Sequence, residues 1–181
     1  MQEKEIYLAG GCYWGVEKYV SNIKGVLHTT VGFANGATEH PTYEQVRYEN
    51  TGHAETVRVV YDVDALSLDV LLKLFYRIID PTSVDKQGED EGHQYRTGVY
   101  FTDTTDEAVV VQSLQELAER VGKPLAIEAC ALEHFYDAEE YHQKYLDKNP
   151  NGYCHVPLAE IQWVKTIEPM AVVDQVFFLK D

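Results

Sequence analysis

The sequence has 181 residues, of which 45% are hydrophobic, and this is enough for one compact domain with a sizeable core. Its formal net charge of −15 disfavours binding to nucleic-acid phosphates or anionic lipid surfaces. No apolar run approaches the roughly 20 residues that cross a bilayer, and no signal-peptide hydrophobic segment follows the charged N-terminus. We therefore expect a cytoplasmic protein without nucleic-acid or membrane partners.

Strands and helices alternate in the first half of the predicted fold. A short strand over residues 5–9 ends at Gly10 and Gly11, and a helical pattern runs from Cys12 to about Ile23. Two further strands and one amphipathic helix follow, at residues 26–34, 56–61 and 67–79.

The second half predicts a loop, a strand, a helix, a strand and a short helix, at residues 80–93, 94–102, 106–121, 125–132 and 138–148. This order predicts an α+β fold, namely a two-layer sandwich with a ferredoxin-like split β-α-β core and a mixed, mostly antiparallel sheet. We expect one catalytic domain over residues 1–157. The C-terminal tail, residues 158–181, is expected to be docked or extended, with an apolar stretch at 172–179.

Three cysteines, Cys12, Cys130 and Cys154, are too few and too widely spaced for a disulfide framework. Cys12 lies where a glycine-rich strand end meets a helix start, so free backbone N–H groups and the helix dipole should favour its thiolate. An isolated cysteine is more often a buried structural residue, but Tyr13 and Trp14 directly after Cys12 would be an odd way to build a core. Cys130, between two alanines in a predicted strand, is expected to be a small packing residue.

The segment around Cys12 resembles the Gly-Cys-Phe-Trp-Gly signature of the A-type peptide methionine sulfoxide reductases, with Tyr13 in place of the usual Phe. Further segments that resemble this family follow in the family's order, at residues 31–36, 41–46, 51–55, 80–82, 87–90, 94–96 and 135–143. The resemblance spans residues 5–157, and it is specific because the motifs are collinear. It implies an enzyme that reduces methionine sulfoxide, in proteins or as the free amino acid, and so repairs oxidative damage.

Reduction of a sulfoxide needs a nucleophile for the sulfur, a proton for the oxygen and hydrogen-bond donors aimed at that oxygen. By resemblance, Cys12 is the nucleophile, Glu55 is the proton donor, and Tyr43 and Tyr95 are the hydroxyl donors. A carboxyl group in a mostly apolar pocket would keep its proton near neutral pH. Without the resemblance, Glu55 would be an ordinary strand-end glutamate and the tyrosines half-buried packing residues.

The resemblance also assigns the groups that bind the rest of the substrate. Tyr13 and Trp14 would form the apolar wall that receives the methyl group on the sulfoxide. The hydroxyl of Tyr13 either points to solvent or needs a partner. Asp90 would contact the backbone amide of a peptide substrate, although the same residue could be a solvated loop charge. The substrate is expected to be the S epimer at sulfur.

After the attack, Cys12 should carry a sulfenic acid, which a nearby thiol condenses to a disulfide. The turn-rich segment 149–155 resembles the family's recycling-cysteine segment and contains Cys154. We therefore expect a Cys12–Cys154 disulfide that thioredoxin or another dithiol reduces. The protein is expected to be a monomer without a metal or other cofactor, and fusion to a B-type reductase domain is left open.

Three other interpretations remain open from the residues. A metal site would use the cysteines and histidines, but no Cys/His set has zinc-finger spacing. A cysteine hydrolase would pair Cys12 with His53 or His155 as its base, and would not need a second thiol. A non-catalytic acidic adaptor would have no reason to keep the nucleophile, the carboxyl group and the aromatic residues together.

Overall fold

The structure, a computed structural model, describes residues 1–172. These residues form eight strands: β1 (Glu3–Ala9), β2 (Val26–Ala34), β3 (Ala54–Asp62), β4 (Lys86–Gln87), β5 (Asp90–Glu91), β6 (Thr97–Phe101), β7 (Ile127–Ala131) and β8 (Phe135–Asp137). Six of them make one sheet in the order β7-β6-β1-β3-β2-β8, and β4 pairs with β5 in a small hairpin. Neighbours in the main sheet are antiparallel except β6 and β7, which are parallel. The predicted α+β fold with a mixed, mostly antiparallel sheet is confirmed.

The described residues also form six α-helices: α1 (Tyr13–Val20), α2 (Tyr43–Tyr48), α3 (Leu68–Tyr76), α4 (Asp106–Val121), α5 (Tyr145–Lys148) and α6 (Leu158–Val164). Three 3-10 turns lie at His93–Tyr95, Glu140–His142 and Pro169–Ala171. Ser67 caps α3 as predicted, since its side chain accepts a hydrogen bond from the backbone N–H of Val70. No helix within residues 1–172 is long and apolar enough to cross a bilayer.

The two faces of the sheet carry different apolar clusters because successive side chains of a strand point in opposite directions. In β1, Ile6 and Leu8 belong to the large core that includes the buried side chains of α1 and α3. Tyr7 and Ala9 belong to a small cluster with Tyr100 on the opposite face. The large core therefore lies between the sheet and the helices, and any side chain on that face of β3 is directed towards them.

Several predicted elements differ from the structure. The helix predicted over residues 138–148 is wrong: β8 ends at Asp137, and a 3-10 turn and the short α5 follow it. Helix α2 was not predicted, although Thr42 and Gln45 form a capping box at its start. The loop predicted over residues 80–93 contains the β4–β5 hairpin.

Cys130 is not a packing residue, so that prediction is also wrong. It lies on β7, at the edge of the sheet, and is exposed to solvent. The apolar residues of the predicted strand resemble those of a buried strand, but an edge strand exposes side chains that a central strand would bury.

The chain after residue 157 packs on the domain at least as far as α6. Ile161 and Val164 of this helix are buried in the large core. Partial burial of Val172 continues this contact to the last described residue. Most of the apolar stretch predicted at 172–179 lies outside the described residues.

A buried hydrogen bond joins α3 to α4 and is expected to stabilise the packing of these two helices. The hydroxyl groups of Tyr76 and Ser113 are 2.6 Å apart and both side chains are buried. Ser113→Ala would leave the Tyr76 hydroxyl without this partner, so we expect the free energy of unfolding to fall by about 1–3 kcal/mol. Urea-induced unfolding measures the change.

The control is Tyr61→Phe, because the buried hydroxyl of Tyr61 has no hydrogen-bond partner among the described residues. Its removal should leave the free energy of unfolding nearly unchanged or slightly higher. Equal losses in the Ser113 and Tyr61 variants would contradict the account.

Candidate active site

Cys12 lies at the junction between β1 and α1, where it is the N-cap residue of the helix. Gly11 before it has a φ of +86°, a conformation that favours glycine. A Cβ atom at Gly11 would lie 2.7 Å from the Cβ atom of Gln87. The chain can therefore enter α1 along this path because position 11 carries no side chain. Cys12 itself is buried, with 7% of its surface exposed.

The Cys12 thiol is held in its protonated form. Burial raises its pKa well above the ordinary value, and negative charge on Glu55 raises it further. Backbone hydrogen bonds from Trp14 and Gly15, at the start of α1, lower the pKa. The predicted effect of the helix start on the thiol is therefore present, but burial outweighs it in the protein without substrate. Attack by this sulfur therefore requires a group that takes up its proton.

Glu55 is the second residue of β3, and strand alternation places its side chain on the same face as Val57, towards the helices. Only 1% of its surface is exposed. Its two carboxyl oxygens accept hydrogen bonds from the backbone N–H of Tyr13 at 3.3 Å and from the side-chain amide of Gln94 at 3.4 Å. Burial raises the pKa of Glu55 to about 8, so the carboxyl group keeps its proton at neutral pH, as expected for an apolar pocket.

Tyr43 and Tyr95 come from two separate segments, the start of α2 and the end of a 3-10 turn. Burial raises the pKa of Tyr43 to about 12, and the charge of Glu55 is the next cause. The pKa of Tyr95 is raised by the same two causes in the same order, and Cys12 contributes to both shifts. The two phenols thus share one electrostatic environment with the nucleophile and the carboxyl group, and both stay protonated as hydrogen-bond donors at neutral pH.

The ring of Trp14 contacts two rings from the segment after β8. It stacks on Tyr145, with ring centroids 3.7 Å apart and an interplanar angle of 12°, and more loosely on His142. The indole N–H of Trp14 also donates a hydrogen bond to Nδ1 of His142 at 3.0 Å. A wall built this way presents a rigid apolar surface next to Cys12.

His142 also belongs to the site, although the sequence did not indicate it as a site residue. It is 1% exposed, and its ring centroid lies 4.4 Å from that of Tyr43 and 5.5 Å from that of Tyr13. The only signal in the sequence was its place in the segment 135–143. The hydroxyl of Tyr13 does not point to solvent, since it is buried and has no hydrogen-bond partner among residues 1–172.

Asp90 connects the site to the segment that contains Cys154. Its Oδ2 atom accepts a hydrogen bond from the hydroxyl of Tyr153 at 2.8 Å. Its negative charge also contributes to the raised pKa values of Cys12 and Glu55, so it lies within electrostatic range of both. Asp90 is therefore placed at the edge of the site, where it can accept a hydrogen bond from a ligand.

Cys154 is half-buried and its thiol donates a hydrogen bond to the carbonyl oxygen of Val156 at 3.2 Å. Burial raises the pKa of this thiol as well. Cys154 lines a cavity of about 580 Å³ whose other walls come from α1, the 146–152 segment and α6. Neither Cys12 nor Cys154 forms a disulfide in the structure.

The surroundings of His53 and His155 test the alternatives of a cysteine hydrolase and a metal site. His53 already uses both ring nitrogens, because Nδ1 accepts from the N–H of Gly36 and Nε2 donates to the carbonyl of Thr38. It therefore has no free nitrogen to act as a base for Cys12. His155 donates from Nε2 to the carbonyl of Gly10 at 3.0 Å and lies against the Cys12 loop. Within residues 1–172, no group of three or more His, Cys, Asp or Glu side chains is arranged to hold a metal ion.

Sequence comparisons match this chain to one family. A family model described as "Peptide methionine sulfoxide reductase" matches residues 4–169. The peptide methionine sulfoxide reductase MsrA of Lachnoclostridium phytofermentans is 62% identical over 153 residues, which cover 84% of this chain and 92% of that protein. MsrA of Clostridium acetobutylicum is 53% identical over 154 residues, covering 85% of this chain and 95% of that protein.

Solved structures of the same family share the fold. Reduced Mxr1 from Saccharomyces cerevisiae matches with a TM-score of 0.81 and 36% identity, covering 87% of this chain and 92% of that chain. Methionine sulfoxide reductase A of Corynebacterium diphtheriae matches with a TM-score of 0.74 and 36% identity, covering 84% and 77%. Mxr1 in complex with Trx2 matches with a TM-score of 0.58 and 27% identity, covering 80% and 85%.

The coupling between Glu55 and Cys12 can be measured without substrate. In a Cys130→Ser, Cys154→Ser background, the pH dependence of iodoacetamide alkylation reports the pKa of Cys12. We expect Glu55→Gln to lower this pKa, because the substitution removes the negative charge that opposes the thiolate. Asp90→Asn should lower it by less, since Asp90 is the weaker of the two negative causes. An unchanged profile in Glu55→Gln would show that the two groups are not coupled.

Proposed function

Because this chain belongs to the A-type family of peptide methionine sulfoxide reductases, we propose that it reduces the S epimer of methionine sulfoxide through Cys12. The chain is a thiol-dependent peptide-methionine sulfoxide reductase, and its family is linked to thioredoxin by the Mxr1–Trx2 complex. One observation supports the finer proposal most directly: a buried, protonated carboxyl group, that of Glu55, shares one site with the thiol of Cys12.

In the first step, the sulfur of Cys12 attacks the sulfoxide sulfur while the oxygen takes the proton of Glu55. The Cys12 thiol proton restores the protonated Glu55, so the carboxyl group ends the step as it began. The oxygen is transferred to Cys12 as a sulfenic acid, and methionine leaves. Hydroxyl groups of Tyr43 and Tyr95 donate hydrogen bonds to the oxygen as its negative charge develops.

The high pKa of the Cys12 thiol fits this order of events. A free thiolate beside an ionised carboxylate would be disfavoured twice, by burial and by like charge. Donation of the Glu55 proton to the sulfoxide oxygen produces a carboxylate when the thiol must lose its own proton. The acid that activates the substrate thereby becomes the base that activates the nucleophile.

To discriminate between the two epimers at the sulfur, the enzyme must bind each substituent of the sulfur with a different group. The fixed ring of Trp14 and the ring of Tyr13 would receive the methyl group, and the hydroxyl and carboxyl donors would bind the oxygen. Asp90 would accept a hydrogen bond from the backbone amide of a peptide substrate. These contacts, together with attack by Cys12 from one side, support discrimination between epimers; the preference for the S form comes from the family resemblance.

Regeneration uses the second thiol. Cys154 would attack the sulfenic sulfur of Cys12, with formation of a disulfide and release of water. Thioredoxin or another dithiol then reduces this disulfide. The cavity beside Cys154 supports this role, because it leaves one side of the Cys154 segment open to a partner.

We propose that the protein acts in the cytoplasm as a monomer and uses no metal or other bound cofactor. Both protein-bound and free methionine sulfoxide would be substrates, since the groups that contact the sulfoxide do not depend on a peptide. The proposed catalytic residues all lie within the expected domain of residues 1–157.

Epimer selectivity tests the proposal as a whole. The protein is incubated with dithiothreitol and mixed-epimer N-acetyl methionine sulfoxide, and chiral chromatography follows each epimer. We expect the S epimer alone to disappear, and Cys12→Ser to abolish the loss because the nucleophile is gone. Disappearance of both epimers, or of neither, would contradict the proposal.

Glu55→Gln tests the proton donor separately. The amide keeps the size of the side chain but cannot give a proton to the oxygen, so we expect kcat to fall by roughly 10²–10⁴-fold. The matched control is Glu107→Gln, an exposed residue at the start of α4, which should leave kcat unchanged. A Glu55→Gln protein that retains the kcat of the parent would remove Glu55 from the chemistry.

A further inference from the structure

The partly buried ring of His155 has one nitrogen bonded and one nitrogen without a partner among the described residues. Its Nε2 atom lies 3.0 Å from the carbonyl oxygen of Gly10. A carbonyl can only accept a hydrogen bond, so Nε2 carries the proton and Nδ1 has the free lone pair. Nδ1 is buried and has no hydrogen-bond partner among the described residues. A buried acceptor of this kind costs free energy unless another state of the protein uses it.

The free nitrogen lies next to the nucleophile loop. A Cβ atom on Gly15 would be 2.9 Å from Nδ1 of His155, so the ring occupies the space beside Gly15. The backbone N–H of the same glycine forms a hydrogen bond with the sulfur of Cys12. Nδ1 and the Cys12 sulfur therefore lie against one residue of α1, and His155 is also the covalent neighbour of Cys154.

The disulfide-forming step needs a base that the first step does not provide. Burial raises the pKa of the Cys154 thiol, and in the reduced protein this thiol donates to the carbonyl of Val156. The thiol must lose its proton when it turns towards Cys12. Glu55 is protonated after the first step, so it cannot accept this proton.

We propose that Nδ1 of His155 accepts the proton of the Cys154 thiol as Cys154 attacks the Cys12 sulfenic acid. This inference rests on the proposed function, because it assigns a group to the second half of that cycle. The sulfur–sulfur bond forms with the electron pair of Cys154, and the sulfur–oxygen bond of Cys12 breaks. The leaving hydroxide takes the Glu55 proton and becomes water, and the imidazolium of His155 returns its proton to Glu55. Disulfide formation oxidises the sulfur of Cys154 and reduces the sulfenic sulfur of Cys12, so no other oxidant is needed.

The charge state of the ring agrees with this role. Burial lowers the pKa of His155 below its ordinary value, and the negative charge of Asp90 opposes the shift. The imidazole is therefore neutral at neutral pH and can accept a proton.

Two substitutions separate a base from a packing residue. In His155→Gln, the side-chain amide can still donate to the carbonyl of Gly10, but it has no basic nitrogen. In His155→Leu, both functions are lost. Each protein is reduced, mixed with one equivalent of N-acetyl methionine sulfoxide and quenched over time. Chromatography measures methionine, and mass spectrometry measures the Cys12 sulfenic acid, trapped with dimedone, and the Cys12–Cys154 disulfide.

We expect both variants to form methionine and then accumulate the sulfenic acid, with disulfide formation slowed by roughly 10²-fold or more relative to methionine release. Normal disulfide formation in His155→Gln with slow formation in His155→Leu would overturn the inference, since the bond to Gly10 would then explain the role. Equal slowing of both steps would also overturn it, as expected for a packing defect. If the parent protein forms no methionine, the proposed function fails instead.

Discussion

The burial of the Glu55 carboxyl group beside the sulfur of Cys12 is the constraint on which the rest of the site depends. In water this carboxyl would be ionised at neutral pH, and its charge would oppose the thiolate that the reaction needs. Burial in an almost fully enclosed position shifts its pKa to about 8 and keeps the proton on the carboxyl group. Negative charge on Glu55 in turn raises the pKa of Cys12, so the protonation states of the two groups are coupled.

The junction between β1 and α1 and one hydrogen bond to β3 position Cys12 and Glu55 close to each other. The glycine-rich end of β1 turns the chain into α1, and the backbone N–H of Tyr13 then hydrogen-bonds to Glu55 on β3. The ring of Trp14 is held by a stacking contact with Tyr145 and by a hydrogen bond to His142. Tyr145 and His142 belong to the same continuous stretch of chain after β8 as Cys154.

The sequence predicted the parts of the fold that have strong periodicity. The predicted bounds of β2 and α4 agree with the structure, and both elements have a regular apolar pattern with a clear stop signal, such as Gly122 after α4. The region after Leu132 was predicted poorly because β8 and α5 have only three and four residues, too short for a pattern to develop. Cys130 was misplaced because its alanine neighbours do not show whether a strand lies at the centre or edge of a sheet.

In the site, collinear motifs indicated the residues that the structure brings together around Cys12. The net pKa of Cys12 and the contacts of His142 and His155 depend on burial by distant segments, which local sequence does not encode.

A direct titration of Glu55 tests whether its carboxyl group is protonated at neutral pH. The carboxyl carbon of Glu55 can be followed by ¹³C NMR in protein labelled at glutamate, with its signal assigned by its absence from Glu55→Gln. We expect a midpoint near pH 8 in the reduced protein without substrate. A midpoint close to the value of about 4.3 that is typical of an exposed glutamate would contradict it, because the carboxyl group would then be ionised at neutral pH and could not supply the proton.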